Sequence, residues 1–408
     1  QNNNKPRKYC GCDGGEDVIL LNRWLAENGM RRNEKLSLAV FDDTGRGVLT
    51  RKKIQAGEEL MNLPLNLTIN VTTLLMDIPF LQYKETISFQ SLMAFYLTYL
   101  KSQDRGTNWA VYLDSLPKEY TVPYFLPHEI KCSIDADLLS VISKQTDIIE
   151  CSYAIFEEIL KNILNQDDKI VALKRLFTKP FYEWAYFTVN TRYLKNVEKT
   201  ILNLITDNTK ICLCPYLDMI NHNNIHRDLF SDIRFSIYTK NSFDPFTEVF
   251  ICYGDSHNLK LITEYGFFLP DNELDCVPFT FESVCSFLES NSCKLSQDQI
   301  SFVNSHNLNK DLYIDNRGLS YNFYGLLMVV KYYYNQGRDV SKLIYSAAIC
   351  STDTSLNNII MPMVKDKCES IQVSINKLKM LENQCVILCN CIELMCQYVS
   401  ILEKFIKC

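Results

Sequence analysis

The residues that could do chemistry in this chain lie in short segments far apart. They are Thr44-Gly45-Arg46-Gly47, Asn190-Thr191-Arg192, Asp218-Met219-Ile220-Asn221-His222, Tyr253-Gly254 and Glu264-Tyr265-Gly266-Phe267. In the first, Gly45 and Gly47 permit positive φ and carry no side chain, so main-chain amides and carbonyls can approach a ligand closely. A plain hairpin turn has the same composition. Asn221-His222 sets an amide beside an imidazole at the end of an apolar run, a pair able to donate and accept along a purine edge. A hydrogen-bonded structural histidine would look the same.

Arg192 offers a guanidinium that can grip a carboxylate in bidentate fashion, or make an ordinary surface ion pair. Asp218 could cap a turn or contact substrate, whereas Met219 and Ile220 read as core. Tyr253 closes the apolar run Val249-Phe250-Ile251-Cys252, so a strand end would aim its phenol into a site unless the ring simply packs.

Composition excludes several classes. The chain has 408 residues, 47% hydrophobic and 22% charged, enough to bury cores in two or three domains. Its 42 Lys+Arg against 48 Asp+Glu give a net charge of −6, unlike a protein that coats nucleic acid. No run of the roughly 18 apolar residues needed to span a bilayer is expected, and no basic, then apolar, leader. The expectation is a monomer without membrane or direct nucleic-acid partners, cytoplasmic and nuclear, with no basic import run to decide between the two. The 17 Cys are scattered, as in a reduced compartment. Cys385, Cys389, Cys391 and Cys396 lack paired C-x-x-C spacing and sit in an apolar helical pattern, so they read as core and no metal is expected. Asn66-Leu67-Thr68 and Asn70-Val71-Thr72 match glycosylation acceptors only as chance triplets.

The elements that must position these segments can be read along the chain. Residues 1–15, including Cys10-Gly11-Cys12, read as a disordered terminus. Asp17–Gly29 is helical by its apolar spacing, ending at Gly29. Leu36–Phe41, Arg46–Thr50 and Glu58–Leu63 alternate as strands. Helical spacing then runs from Ser91 to Lys179. Strand character returns at Ile211–Tyr216, Ile233–Tyr238 and Glu248–Tyr253. Leu295–Ser305 and Asn322–Tyr334 read as helices, and Pro362 opens one or two long amphipathic helices.

Taken together and in this order, the segments resemble the SET-domain class that contains the Rubisco large-subunit lysine methyltransferase. Trp109-x-x-Tyr112-Leu113-x-x-Leu116-Pro117 fits that class as well. Cys214-Pro215-Tyr216-Leu217-Asp218 and Glu248-Val249-Phe250-Ile251-Cys252-Tyr253-Gly254 bring the chain nearest to the SET domain-containing protein 4 group. The resemblance implies an α+β fold with knot-like threading. It divides the chain into a first SET part at 16–90, a helical insertion at 91–185, a second SET part at 186–270 and an α-helical substrate-binding domain at 285–408.

The same resemblance implies the cofactor S-adenosyl-L-methionine, held by Gly45, Arg46, Gly47, Arg192, Asn221, His222 and Tyr253, with Arg192 on its carboxylate. It makes Tyr253 and Tyr265 catalytic and places Asp218, Tyr265 and Phe267 against a protein substrate. The implied activity is protein-lysine N-methylation of a histone or non-histone protein. Histidine methylation and a silent adaptor are the rival readings; Tyr265, as a second channel tyrosine, favours lysine over the first, and the intact site residues disfavour the second.

Overall fold

The computed structural model describes residues 9–78, 81, 87–165, 167–195, 211–225, 229–230, 235–335, 339–347, 355–381 and 385–407. They form two compact units. The first takes residues up to Thr121, Lys144–Asp255 and Glu264–Gly266; the second takes Val122–Ser143, Ser256–Thr263 and Phe267 onward.

Strands dominate the beginning of the first unit: β1 Tyr9–Cys12, β2 Arg31–Arg32, β3 Leu36–Phe41, β4 Gly45–Thr50 and β5 Glu59–Leu63. Later come β6 Tyr193–Lys195, β7 Ile211–Leu213, β8 Asn221–His222, β9 Leu229–Phe230, β10 Phe235–Tyr238 and β11 Thr247–Ile251. A five-stranded sheet has the order β1-β3-β4-β11-β8, a second sheet runs β2-β5-β10-β9, and β6 pairs with β7. The hairpin is buried on both faces, with Leu36, Leu38, Ala39 and Phe41 on β3 and the consecutive Val48, Leu49 and Thr50 on β4 in the interior. Gly45, at φ +69°, closes its turn. β11 is the hub, antiparallel to β4 through Glu248↔Leu49 and parallel to β8 through Phe250↔Asn221 and Ile251↔His222. Hydrogen bonding therefore joins the glycine turn, the Asn-His pair and the strand leading to Tyr253.

The terminus differs from expectation: Tyr9–Cys12 is not disordered but pairs with β3, with Cys12 opposite Ala39. The strand expected to run to Tyr216 stops at Leu213, and residues 233 and 234 of the next lie outside the described residues.

Helices Phe89–Ser102 and Lys179–Arg192 pack on each other in this unit. Aromatic pairs lock the layer, with Phe95 on Phe156 at 4.3 Å and Tyr153 on Phe177 at 5.0 Å between centroids. Such pairs add about 0.5–1.5 kcal/mol beyond area burial. The boundary expected at 185 falls inside helix Lys179–Arg192. That helix carries Asn190-Thr191-Arg192 in its last turn, so the insertion delivers site residues. The insertion is also not one body, since Val122–Ser143 belongs to the second unit.

The second unit is not purely helical. Strands β12 Cys276–Pro278, β13 Tyr313–Asp315 and β14 Gly318–Leu319 form a three-stranded sheet. Helices Phe281–Ser290, Gln297–Ser305 and Tyr321–Tyr332 follow or flank it, the first crossing the expected boundary at 285. Thr280, Ser296 and Ser320 cap them. Helices Asn357–Lys379 and Val386–Lys407 pack together, with Pro362 inside the former instead of opening it. Contrary to the sequence expectation, Val386–Lys407 is long and apolar enough to cross a membrane by length and composition. Here its apolar residues Leu388, Cys391, Met395, Tyr398 and Leu402 enter the unit's core. Cys385 is exposed and Cys389 and Cys396 are half-buried.

Lys367 ties this unit together. Its Nζ lies 2.7 Å from Asp137 Oδ2, donates to the Pro278 carbonyl at 2.7 Å and sits 4.6 Å over the Phe279 ring. Both partners are mostly buried, and Asp135 nearby has its carboxyl pKa raised, first by burial and then by Asp137. Lys367→Met strands these carboxylates. Removing one partner of a largely buried pair costs up to about 3–5 kcal/mol, so denaturant unfolding of Lys367→Met should show a loss near 3 kcal/mol. A loss below about 1 kcal/mol would mean that water already screens the pair.

Candidate active site

Five separated segments of the first unit converge around β11. At the glycine turn, a Cβ on Gly47 would lie 2.5 Å from Glu248 Oε1 and 2.8 Å from Asn221 Nδ2, so only glycine fits there. The Arg46 side chain turns away from this cradle. Its Nε meets Asp13 Oδ2 at 2.6 Å, Nη2 meets Asp17 Oδ2 at 3.1 Å and Nη1 donates to the Ser115 carbonyl at 2.9 Å. Arg46 is thus a clamp on the N-terminal segment; only its backbone, accepting from Asn221 Nδ2 at 3.1 Å, faces the site.

Arg192 and Asp218 form the charged core of the site. Arg192 Nη1 lies 3.0 Å from Asp218 Oδ2 and 3.3 Å from the Asp218 carbonyl, with side chains 15% and 0% exposed. Tyr112 Oη donates to the same Oδ2 at 2.7 Å. Burial opposes the guanidinium charge, but Asp218, then Tyr120 and Tyr112, outweighs it and Arg192 is held more firmly charged than usual. The Tyr112 phenol is pushed well up, first by burial and then by Asp218. Arg192 Nε and Asp218 Oδ1 are buried without partners among the described residues. Asp218, expected as a substrate contact, is through its side chain the counter-ion of Arg192.

The approach to Asp218 is strained. Tyr216, bulky and fully buried, sits at φ +69° where the chain leaves β7, then turns through a short 3₁₀ segment at Leu217–Met219. Such conformations are rare for non-glycine residues and persist only where surroundings enforce them. Arg32 does so, donating to Tyr216 Oη at 3.1 Å with its guanidinium 5.1 Å over the ring.

His222, Tyr253 and Tyr265 make a row of rings with centroids 5.1 Å apart at each step. The Tyr253 amide donates to His222 Nδ1 at 3.0 Å, which fixes the imidazole as neutral and protonated on Nε2. Burial lowers the His222 pKa to about 4. Tyr253 Oη donates to the Ile220 carbonyl at 2.8 Å. Burial first, then Asp218 and Glu248 against an opposing Arg192, raises its pKa, so it remains a phenol at neutral pH. Tyr265 is raised too, by burial, then Tyr193, Glu264 and Tyr253.

The turn holding Tyr265 is fixed at both ends. Asn190 Nδ2 donates to the Glu264 carbonyl at 2.9 Å. Gly266, at φ +81°, packs so closely that a Cβ would lie 2.7 Å from Thr121 Oγ1 and 2.9 Å from its backbone carbon. Phe267, expected against the substrate, is half-buried and belongs to the second unit. On sequence alone no site role fell to Tyr112, Glu248 or Asn190, the last of which stood in a quoted segment. Tyr112 had a signal, its place in the Trp-x-x-Tyr-Leu pattern, whereas Glu248 sat in a quoted run without a role.

Two predictions follow from burial. Tyr112→Phe removes one hydrogen bond to a buried carboxylate, worth about 1.5–3 kcal/mol, and urea titration should register a loss of that size. His222, with folded pKa about 4 against about 6.5 unfolded, takes up its proton more readily when unfolded. Its contribution is therefore intact above pH 6.5, falls as pH drops from 6.5 to 4, and is gone below 4. At about 1.4 kcal/mol per pH unit, the fall amounts to roughly 3 kcal/mol. Melting curves should show a smaller acid loss in His222→Gln than in wild type; parallel curves would place the titration elsewhere.

Comparison with known proteins places this arrangement. A SET-domain profile matches residues 45–254, just over half of the 408. The chain is 27% identical over 401 residues to SET domain-containing protein 4 of Artemia parthenogenetica, covering 94% of each. It is 26% identical over 261 residues to a ribosomal lysine N-methyltransferase of Schizosaccharomyces pombe, covering 61% of this chain and 60% of that protein. Its fold matches Rubisco LSMT bound to sinefungin and monomethyllysine with a TM-score of 0.67 at 17% identity, over 96% of this chain and 91% of that one. With its glycine cradle, Asn-His strand and paired tyrosines assembled on one sheet, the chain belongs to the SET-domain family.

Proposed function

We propose that this SET-domain methyltransferase transfers a methyl group from S-adenosylmethionine to a lysine side chain of a protein, either a histone or a non-histone substrate. The observation that carries the cofactor reading is the unmet pair inside the charged core. Arg192 Nε is a buried donor and Asp218 Oδ1 a buried acceptor, each without a partner among the described residues. Orphaned buried charged groups cost free energy unless a ligand satisfies them. The amino-acid end of S-adenosylmethionine offers a carboxylate and an ammonium, the two complements required. The open space at Gly45, where a Cβ would meet nothing, and the edge of Asn221-His222 fit the rest of such a cofactor. S-adenosylmethionine supplies a methyl already activated on a sulfonium, so the protein's work is positioning.

Lysine must arrive neutral, and its ordinary pKa of about 10.4 leaves roughly one amine in a few thousand neutral at pH 7. The packed rings of Tyr253 and Tyr265 would desolvate the amine, which disfavours its charged form. Tyr253 is not suited to act as a base at neutral pH, because its proton is held by the Ile220 carbonyl and its pKa is raised. Its oxygen instead presents lone pairs that orient the nucleophile and favour the charge developing in transfer. Tyr265 walls the same row, and lysine is preferred to histidine because two phenols line it.

The test is to incubate purified protein with labelled cofactor and cell extract and to map the modified residues by mass spectrometry. Methyl-lysine is expected; methyl-histidine alone would overturn the acceptor, and no incorporation with no cofactor binding would overturn the enzyme reading. On the mapped substrate, Tyr253→Phe should lower turnover about 100-fold or more, the scale of one preorganised transition-state contact. Calorimetric affinity for the cofactor should change much less, since the ring remains. Near wild-type turnover would reduce Tyr253 to a wall residue.

A further inference from the structure

A buried carboxylate adjoins the glycine cradle. Glu248, the second residue of β11, is 4% exposed. Its Oε1 accepts from Asn221 Nδ2 at 2.8 Å, and Thr44 Oγ1 lies 2.9 Å from both of its oxygens. Asn221 Nδ2 donates in addition to the Arg46 carbonyl at 3.1 Å. Both amide protons are therefore engaged by acceptors. Turning the amide over would set Oδ1 against a carboxylate oxygen and a carbonyl oxygen, so the hydrogen-bond network admits one orientation. In that orientation Asn221 keeps its Oδ1 as the available group, which can only accept. Gly47 completes the arrangement, since any side chain there would collide with the same two atoms.

We infer that Glu248 is a positioning residue that locks the Asn221 side chain as a hydrogen-bond acceptor toward an N–H donor of the cofactor and fixes the Thr44–Gly47 turn around it. This rests on the cofactor reading above. Without the carboxylate, the amide can rotate, present its NH₂ group to the ligand and lose the match. Its position explains why a charged residue sits within the buried run of a central strand. On β11 the neighbouring Val249, Phe250 and Ile251 are buried apolar residues.

The test uses the full chain and three proteins. Glu248→Ala should weaken calorimetric binding of S-adenosylmethionine at least about tenfold and raise its KM in step, with kcat at saturation within about threefold. Glu248→Gln keeps an oxygen that can accept from Asn221 and should recover affinity to within about threefold of wild type. In ligand-free protein, the Asn221 side-chain NH₂ signals should exchange slowly with water in wild type and Glu248→Gln and fast in Glu248→Ala. If Glu248→Ala fails to fold, the Glu248→Gln affinity and the wild-type exchange rate decide. Equal affinity in folded Glu248→Ala, a Glu248→Gln as damaging as Glu248→Ala, or rapid Asn221 exchange in wild type overturns the role. Absence of binding by wild type, with slow Asn221 exchange retained, overturns the cofactor reading and, with it, the ligand-facing part of the inference.

Discussion

The ion pair between Arg192 and Asp218 is the constraint on which the site depends. An Asp carboxylate at 0% exposure is tolerable only with a charged partner in good geometry, and breaking such a pair costs about 3–5 kcal/mol. The partner comes from the end of a long helix, the carboxylate from a strained turn and the supporting Tyr112 hydroxyl from a third segment 106 residues away. Each of the three is placed by a different element, so the pair is satisfied only when helix, turn and sheet are all in register. Among the described residues it also leaves Arg192 Nε and Asp218 Oδ1 buried without partners.

Around that pair the protein uses burial as its chemical instrument. Tyr112, Tyr253 and Tyr265 all have their pKa values raised first by burial, and His222 is lowered by the same cause. These rings are thereby held neutral at physiological pH, and charged side chains among them include Arg192, Asp218 and Glu248. A site of neutral rings and paired charges suits a reaction in which the reagent brings its own positive charge and the nucleophile must shed one.

Much of this was legible in the order of the motifs. Gly45 and Gly47, the Asn221-His222 pair, Arg192 and the two tyrosines each had a plain structural reading alone, and it was their order and its resemblance to the SET-domain class that named them. The strand Leu36–Phe41 followed from alternation, the strand expected at Glu58–Leu63 from its apolar run before Pro64, and the long C-terminal helices from their amphipathic spacing. Partners were not legible. The apolar run after Glu248 says that β11 is buried but not that Glu248 meets Asn221, since that contact depends on a parallel pairing between β8 and β11. The same holds for Asn190, whose amide reaches a carbonyl 74 residues onward. The N-terminal strand was missed because Cys10-Gly11-Cys12 has the composition of a loose end; it is ordered by an edge strand that needed a neighbour.

The tyrosine row shows how such long-range placement becomes local precision. Tyr265 precedes a glycine at φ +81° whose missing side chain lets Thr121 approach within van der Waals contact, and Thr121 Oγ1 donates to the Gly266 carbonyl at 2.8 Å. With Asn190 holding the Glu264 carbonyl on the other side, the peptide units on both flanks of Tyr265 are tied to helical or loop segments outside the sheet. Tyr253 is tied to the sheet, through His222 and the Ile220 carbonyl. The distance between the two phenols is therefore set by how the helical segments seat on the sheet, which makes the insertion a structural determinant of the width between those rings.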